Sequence, residues 1–381
     1  MSSPGTDAAR RGSRLRARAR ILPRAVLRRF ARLQPRRRPG APRRILVAQH
    51  LLAGDVLMLA PLFAKLRERH PDADLVATVR AGVAPLFSGR PYGVRAIPFE
   101  PRDAASLDAL FKEPGFDLAL VPGDNRYSWL AAAAGARWIV AFGGDRPGYK
   151  SWPVDEERAY SATPAAWSDM NTLLADGPAP APYRPGDWPA PSCAPFPAPE
   201  ARYAVLHVEA STPLKHWEEA KWNALAAALA QRGLQPVWSA GPGGALLRSI
   251  DPGGRFPALG DRLDLAQLWH LVAGAALLVC PDTSVMHIGR LTGTPTVALY
   301  GPSAADLFGA GEFWRGAPFR AVTVPDFPCR DQNRLFKREI QWIRRCQRTP
   351  SSCEAPRCMH GIGVPAVLRA AEEVLAWRAS S

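Results

Sequence analysis

The chain has 381 residues, which is enough for two domains of ordinary size, and a formal net charge of +15 at pH 7. Residues 1–44 hold fifteen arginines and one acid, Asp7, so this segment carries +14 and leaves +1 for the remaining chain. A nearly neutral body argues against a nucleic-acid enzyme with a basic groove. The sequence shows neither a secretory signal nor the roughly 18 to 20 consecutive apolar residues that span a bilayer. We therefore expect the protein in the cytoplasm or on the inner face of the cytoplasmic membrane.

Residues 1–42 are predicted to form a basic, flexible leader. Within this leader, Leu22, Val26, Phe30 and Leu33 recur at helical spacing, while arginines occupy the other helix faces. A short basic amphipathic helix of this kind would lie on an anionic membrane surface. A disordered leader without a partner is the alternative, since the segment that follows is rich in proline and arginine.

The body of the chain begins with a βαβ unit. Residues 44–49 form an apolar strand, an amphipathic helix is predicted from about Asp55 to His70, and residues 75–79 form the next strand. This alternation of strands and helices favours a parallel sheet, and it continues to about residue 180. We assign residues 43–180 to a first α/β domain and the proline-dense residues 181–200 to a linker.

A second alternating series follows the linker. It starts with a strand at residues 203–208, a helix at residues 217–232 and a strand at residues 235–239. Residues 201–360 are assigned to a second α/β domain, and residues 361–381 to a C-terminal helix that packs back on the first domain. The predicted fold class is α/β, with a parallel sheet in each domain and a cleft between the two domains.

The segment from Leu277 to Gly301 has the pattern of a ligand site. A short apolar strand ends at Pro281 and Asp282, where open α/β sheets bind their ligands. Asp282, Thr283 and Ser284 can each cap the following helix, and His287 falls one turn into it. The positive end of a helix attracts anions, so a phosphate group is the predicted ligand. An ordinary capped turn with a surface histidine is the alternative.

Two further loops carry polar side chains at the start of a helix. Gly54 allows close backbone approach at the start of the first helix, and Asp55 offers a carboxylate there or, alternatively, an N-cap. After the first strand of the second domain, Ser211 and Thr212 offer hydroxyl groups and Lys215 a cation. Such a loop can bind a diphosphate without a metal, whereas a solvated surface lysine is the alternative for Lys215.

Three segments together resemble the hallmark regions of glycosyltransferase family nine, the ADP-heptose:lipopolysaccharide heptosyltransferases. They are HLLAGDVLMLAPLFAKLRERHPDADL, LHVEASTPLKHWEEAKWNALAAAL and CPDTSVMHIGRLTGTPTVALYGPS, in this order along the chain. The similarity covers roughly residues 43 to 378. It implies the GT-B architecture, in which the parallel sheets of two Rossmann-like domains face a central cleft, with the acceptor mainly on the first domain and the nucleotide sugar mainly on the second. It also implies no catalytic metal or other cofactor.

The resemblance also implies an inverting heptose transfer and a role for each polar residue. Asp55 matches the general base. Ser211, Thr212 and Lys215 match the diphosphate-binding loop, Asp282 matches the carboxylate that holds sugar hydroxyl groups, and Thr283, Ser284 and His287 match the phosphate contacts at the helix terminus. The implied partners are a nucleotide sugar and a lipopolysaccharide-core or related glycolipid acceptor, with no specific nucleic acid.

Some residues depart from the family pattern. Ser284 stands where the family usually has glycine, and Glu209 interrupts the diphosphate loop with a carboxylate. These departures keep two alternatives open. The first is a glycosyltransferase of the same fold that uses another sugar donor or another acceptor, and the second is a scaffold that binds a nucleotide without catalysis. Four late cysteines, Cys329, Cys346, Cys353 and Cys358, have irregular spacing that favours reduced thiols over a structural metal or a redox pair.

Overall fold

The computed structural model describes residues 4–30, 37–241, 244–259 and 263–377. It divides the chain into two compact units that are not contiguous in sequence, unlike the predicted domains. The first unit consists of Met1–Ser161, Asp169–Ala181 and Leu335–Ile340. The second unit consists of Ala162–Ser168, Pro182–Arg334 and Gln341–Ser381.

The first unit is built on a parallel six-stranded sheet. Its strands are β1 (Arg44–Val47), β2 (Asp74–Val79), β3 (Val94–Pro98), β4 (Phe116–Val121), β5 (Ala136–Phe142) and β6 (Glu156–Arg158), in the order β3-β2-β1-β4-β5-β6. The helices along this part of the chain are α1 (Pro4–Phe30), α2 (Ala53–Leu57), α3 (Ala60–Arg69), α4 (Ser106–Phe111), α5 (Tyr127–Ala133) and α6 (Trp167–Asn171). The central strands are almost entirely apolar and buried, as expected for a parallel sheet that is covered on both faces.

One predicted helix is two helices in the structure. The sequence pattern predicted a single helix from Asp55 to His70, whereas α2 ends at Leu57 and α3 begins at Ala60. Pro61 explains the break, because proline has no N–H group to donate to the carbonyl of residue 57. It occupies the first turn of α3, where no such donor is needed.

Most of the described part of the leader forms the long helix α1 instead of a flexible chain. Ala17 and Ala25 are buried, and α1 packs against α5. The Arg24 Nε donates to the Ala133 carbonyl oxygen at 3.0 Å, and the Arg29 guanidinium pairs with Asp155 at 3.2 Å. The predicted apolar residue Leu33 lies outside the described residues.

The second unit contains a parallel five-stranded sheet. Its strands are β7 (Tyr203–His207), β8 (Gln235–Ser239), β9 (Leu277–Pro281), β10 (Thr296–Tyr300) and β11 (Phe319–Thr323), in the order β11-β10-β9-β7-β8. The helices are α7 (Glu219–Gln231), α8 (Ala245–Ile250), α9 (Leu265–Ala273), α10 (Ser284–Thr292), α11 (Ala305–Phe308), α12 (Arg357–His360) and α13 (Val364–Leu375). The α/β class with two parallel sheets is thus confirmed.

The C-terminal helix belongs to the second unit, so the prediction that it packs back on the first domain is wrong. Helix α13 packs against β10, β11 and α7, and it buries Val367, Ala371 and Val374 in the core of this unit. These positions are spaced by four and three residues, so they form one apolar face. Trp217 and Trp222 pack edge to face in the same core, with ring centroids 5.1 Å apart.

A short hairpin late in the chain completes the first unit. It consists of β12 (Arg334–Leu335) and β13 (Arg338–Glu339), and residues 335–340 are part of that unit. The buried Arg338 guanidinium donates to the carbonyl oxygens of Gly143 at 2.8 Å and Gly123 at 3.1 Å, and to the Asn125 Oδ1 at 2.6 Å. Among the residues that the structure describes, no helix combines the length and the apolar character needed to cross a bilayer.

Candidate functional site

The structure brings two of the predicted site residues of the second unit into direct contact. Strands β7 and β9 are neighbours, so the loop after β7 and the residue after β9 meet at the carboxyl edge of the sheet. There the Lys215 Nζ donates to the Asp282 Oδ2 at 2.7 Å and to the Asp282 carbonyl oxygen at 3.0 Å. A lysine ammonium group has three donors, so Lys215 can keep both contacts and still bind an anion.

The loop before Lys215 is shaped by a local hydrogen bond. Thr212 is the N-cap of the short 3-10 helix Pro213–Lys215, and its hydroxyl group accepts from the Leu214 N at 3.4 Å. This cap fixes the turn that directs the Lys215 side chain towards Asp282. Ser211 lies exposed just before it, which leaves its hydroxyl group accessible to a ligand.

The N-terminus of α10 lies directly beside the Lys215–Asp282 pair. Thr283 is the N-cap, and its hydroxyl group accepts from the Val285 N at 3.2 Å while it keeps a proton to donate. Ser284 is the first helical residue, and both side chains are half-buried. The helix has nine residues, and the positive end of its dipole favours an anionic group at this position.

His287 is buried one turn into α10, and its ring is neutral. Burial lowers the pKa of His287 well below its usual value, and the charges of Arg290 and Lys215 lower it further. The Arg290 guanidinium contacts the His287 Nδ1, and because arginine can only donate, Nδ1 must be the acceptor. The proton of the neutral ring therefore lies on Nε2, so His287 can donate a hydrogen bond but supplies no positive charge.

Glu209, which departs from the family pattern, has a backbone partner. Its Oε2 accepts from the Gly241 N at 2.9 Å, just beyond the end of β8. This contact holds the carboxylate towards the β8 side of the sheet edge. On the same pair of strands, the buried His207 Nδ1 contacts the Ser239 Oγ at 3.0 Å, and burial lowers the pKa of His207 to about 4.

In the first unit, Gly54 and Asp55 lie in the first turn of α2. Leu52 holds the N-cap position, so Asp55 is not the N-cap that was the alternative for this residue. Asp55 is the third residue of the helix and is half-buried. A carboxylate in the first turn interacts favourably with the helix dipole.

A cavity of about 580 Å³ in the first unit was not predicted from the sequence. Its walls include His50, Arg80, Glu100 and Arg126, which follow the ends of β1, β2, β3 and β4. These strands are neighbours, so the rule that ligands bind beyond the carboxyl ends of parallel strands would have grouped these residues. Arg18 of α1 forms another part of the wall.

The cavity is basic, with one acidic group held by a histidine. The His50 Nε2 contacts the Glu100 Oε2 at 3.1 Å, and burial lowers the pKa of His50. The Arg80 Nε donates to the Leu51 carbonyl oxygen at 2.9 Å, which ties the cavity wall to the loop that leads to α2. Arginines outnumber acids among the lining residues, so the cavity is suited to an anionic ligand.

The cysteines form no disulfide in this structure. All six are free thiols, and Cys280 and Cys358 are buried. Within the described ranges, His, Cys, Asp and Glu side chains form no group of three or more that could hold a metal ion.

Comparison with known proteins identifies the family. Residues 109–313, more than half of the chain, match the sequence profile described as glycosyltransferase family 9 (heptosyltransferase). Over 329 residues the chain is 25% identical to lipopolysaccharide heptosyltransferase 1 of Pseudomonas aeruginosa, an alignment that covers 78% of this chain and 92% of that protein.

Solved structures share the fold. A family 9 glycosyltransferase from Veillonella parvula superposes with a TM-score of 0.68 at 16% identity, which covers 87% of this chain and 97% of that one. The E. coli ADP-heptose lipopolysaccharide heptosyltransferase II superposes with a TM-score of 0.64 at 18% identity, which covers 87% of this chain and 98% of that one. These neighbours confirm the GT-B architecture. On the match over more than half of its length, the chain belongs to glycosyltransferase family 9 and is a glycosyltransferase.

Proposed function

We propose that this enzyme transfers a heptose from ADP-heptose to a lipopolysaccharide core or a related glycolipid, with inversion at the anomeric carbon and without a metal ion. The observation that carries the proposal is the Lys215 ammonium group, which Asp282 holds beside the N-terminus of α10. The heptosyltransferases of P. aeruginosa and E. coli named above support the choice of heptose, of ADP and of the acceptor class.

The polar groups around α10 are suited to a diphosphate leaving group. Lys215 supplies one positive charge, the helix terminus supplies backbone N–H donors, and Thr283 and Ser284 supply hydroxyl groups. The neutral His287 adds its Nε2 donor. As the bond between the anomeric carbon and the phosphate oxygen breaks, negative charge grows on the diphosphate, and these groups stabilise it. In other enzymes a bound cation does this work.

The cavity of the first unit is the proposed acceptor site. Arg80 and Arg126 at its wall suit an acceptor with phosphate or carboxylate groups, because arginine forms paired hydrogen bonds with both. The proposed acceptor, a lipopolysaccharide core or a related glycolipid, is anchored in a membrane by its lipid. We therefore place the reaction on the inner face of the cytoplasmic membrane.

Asp55 is the proposed general base. The acceptor hydroxyl oxygen attacks the anomeric carbon from the side opposite the diphosphate, its proton passes to the Asp55 carboxylate, and ADP leaves with the electron pair of the broken bond. Attack from the opposite side inverts the configuration. Gly54, next to Asp55 in the first turn of α2, allows a substrate to approach the backbone closely.

Calorimetric titration of the full chain with ADP, UDP and GDP, in chelator and in Mg²⁺, tests the donor site. We expect selective binding of ADP that does not depend on the metal. Preference for another nucleoside diphosphate would replace the proposed donor, and absence of binding to all three would refute the assignment of the α10 site.

Turnover of ADP-heptose on truncated core acceptors tests the reaction. The anomeric configuration of the product, read by NMR, must be opposite to that of the donor. Activity that is lost in excess chelator and restored by Mg²⁺ or Mn²⁺ would refute the metal-free mechanism.

A further inference from the structure

Helix α1 has one face that packs on the first unit and an opposite face that is apolar and exposed. The packed face contains the buried Ala17 and Ala25. The opposite face, here called the outer stripe, consists of Leu15, Leu22, Val26 and Phe30, whose exposed fractions are 64%, 43%, 36% and 69%. Their spacing of seven, four and four residues places them on one side of the helix. A surface helix normally has the reverse pattern, with its apolar side chains inward.

Aromatic side chains of the first unit extend the outer stripe. The Phe30 and Trp152 rings lie 6.1 Å apart between centroids, and Trp152 stacks on Trp129 at 5.0 Å. Trp152 and the nearby Tyr149 are both exposed. Contiguous exposed apolar surface of this kind marks an interaction site on a protein, and tryptophan and tyrosine are enriched where proteins meet the headgroup region of a bilayer.

The charge beside the outer stripe determines which partner fits. Arg16 and Arg18 are exposed on α1, whereas Arg20 and Arg29 of the same helix pair with acidic residues of the first unit. A second copy of the same helix would be repelled by this positive charge, and a neutral apolar protein would offer the arginines no anionic partner. An anionic lipid surface satisfies both features, because it accepts apolar side chains at the acyl boundary and attracts arginine to its headgroups.

We propose that the outer stripe and the exposed arginines of α1 form a docking surface for an anionic lipid bilayer. Leu22 and Arg18 also line the cavity of the first unit, so docking would place that cavity at the membrane surface. The link to a lipid-anchored acceptor rests on the proposed function, whereas the docking itself does not. Vesicle binding without turnover would therefore support the docking surface and contradict the proposed function. Turnover without vesicle binding would support the proposed function and contradict the docking surface.

The test is flotation of the full chain with vesicles of phosphatidylcholine, with and without phosphatidylglycerol. We expect binding to the anionic vesicles that weakens as salt is raised, and little binding to the neutral ones. Replacing two residues that do not line the cavity, Val26→Ser with Phe30→Ser, should reduce the partition coefficient at least about tenfold, because both side chains lose their transfer to the apolar layer. The matched control is Leu173→Ser, an exposed leucine elsewhere in the first unit.

Three results would overturn the proposal. They are the absence of binding to anionic vesicles, equal binding of the double variant and the parent, and an equal loss in the Leu173→Ser control. Light scattering after size-exclusion chromatography tests whether a second copy of the chain covers the outer stripe instead. A dimer that the double variant abolishes, together with unchanged vesicle binding, would assign the outer stripe to a second copy of the chain.

Discussion

Replacing Lys215 by methionine should separate its structural role from its role in binding. The Lys215 Nζ and Asp282 Oδ2 are 2.7 Å apart, and the two side chains are 20% and 10% exposed. Breaking a fully buried pair costs about 3–5 kcal/mol of unfolding free energy, and the partial exposure of Lys215 reduces the expected cost to about 2 kcal/mol. For a unit of this size, that corresponds to a fall of roughly 4–8 °C in the melting temperature.

The effect of the same variant on nucleotide binding has a different origin. A charge-assisted hydrogen bond to the diphosphate contributes about 1.5–3 kcal/mol, so Lys215→Met should raise the Kd for ADP roughly 10- to 150-fold. Adding Asp282→Leu removes the uncompensated carboxylate, which should restore most of the stability but none of the affinity. Lys221→Met is the matched control, since Lys221 pairs with Glu218 in the same unit.

Calorimetry with ADP and a thermal unfolding curve are recorded for each of these variants. If Lys215→Met lowers the melting temperature while the Kd for ADP stays unchanged, Lys215 serves only to neutralise Asp282, and the diphosphate role assigned to it is wrong. An equal loss of ADP affinity in Lys221→Met would show that the effect is not specific to the site.

Three further predictions concern the base, the acceptor cavity and the pH dependence. Asp55→Asn should lower the rate of transfer by about 10²- to 10⁴-fold with an unchanged Kd for ADP, and equal loss of both would make Asp55 structural. Arg126→Gln should raise the KM for the acceptor about tenfold or more and leave donor binding unchanged. Replacing the exposed Arg137 by glutamine should change neither quantity. Steady-state kinetics of both variants tests this prediction. The pKa of His207 is lowered from 6.5 to about 4 in the folded chain. As the pH falls, the unfolded chain therefore takes up the proton first, which favours unfolding. Up to about 3 kcal/mol of the unfolding free energy is lost between pH 6.5 and pH 4. His207→Asn, which does not titrate, should show a flatter urea-unfolding profile over that range, and an unchanged slope would contradict the assignment.

Local sequence signals located much of the candidate site but not its contacts. The loop at Lys215 and the turn at Asp282 could both be recognised from strand ends and capping residues. Their direct contact depends on β7 and β9 being neighbours in the sheet, which strand order decides and local sequence does not. The neutral state of His287 follows from Arg290 and from burial, and neither is visible in a motif.

The errors have identifiable causes. Pro61 was present in the sequence, and a stricter use of its missing N–H group would have divided the first helix correctly. The apolar periodicity of the leader identified Leu22, Val26 and Phe30 of the outer stripe. Ala17 and Ala25, which pack on α5, gave too weak an apolar signal to predict that the leader docks on the first unit. Helix α13 was assigned to the wrong unit because an amphipathic pattern shows that a face is buried without showing which partner buries it.

The hairpin that carries Arg338 has a consequence for how the protein is made. Arg338 caps carbonyl groups at Gly123 and Gly143, and its partner Gly143 lies 195 residues earlier in the chain. A ribosome that adds about 5–20 residues per second needs roughly 10–40 s to make that distance. During this interval the nascent first unit exposes acceptors that its final contacts will satisfy. A fragment that ends at Ala181 would lack Arg338 and carry this defect permanently, so the first unit should be expressed with the rest of the chain.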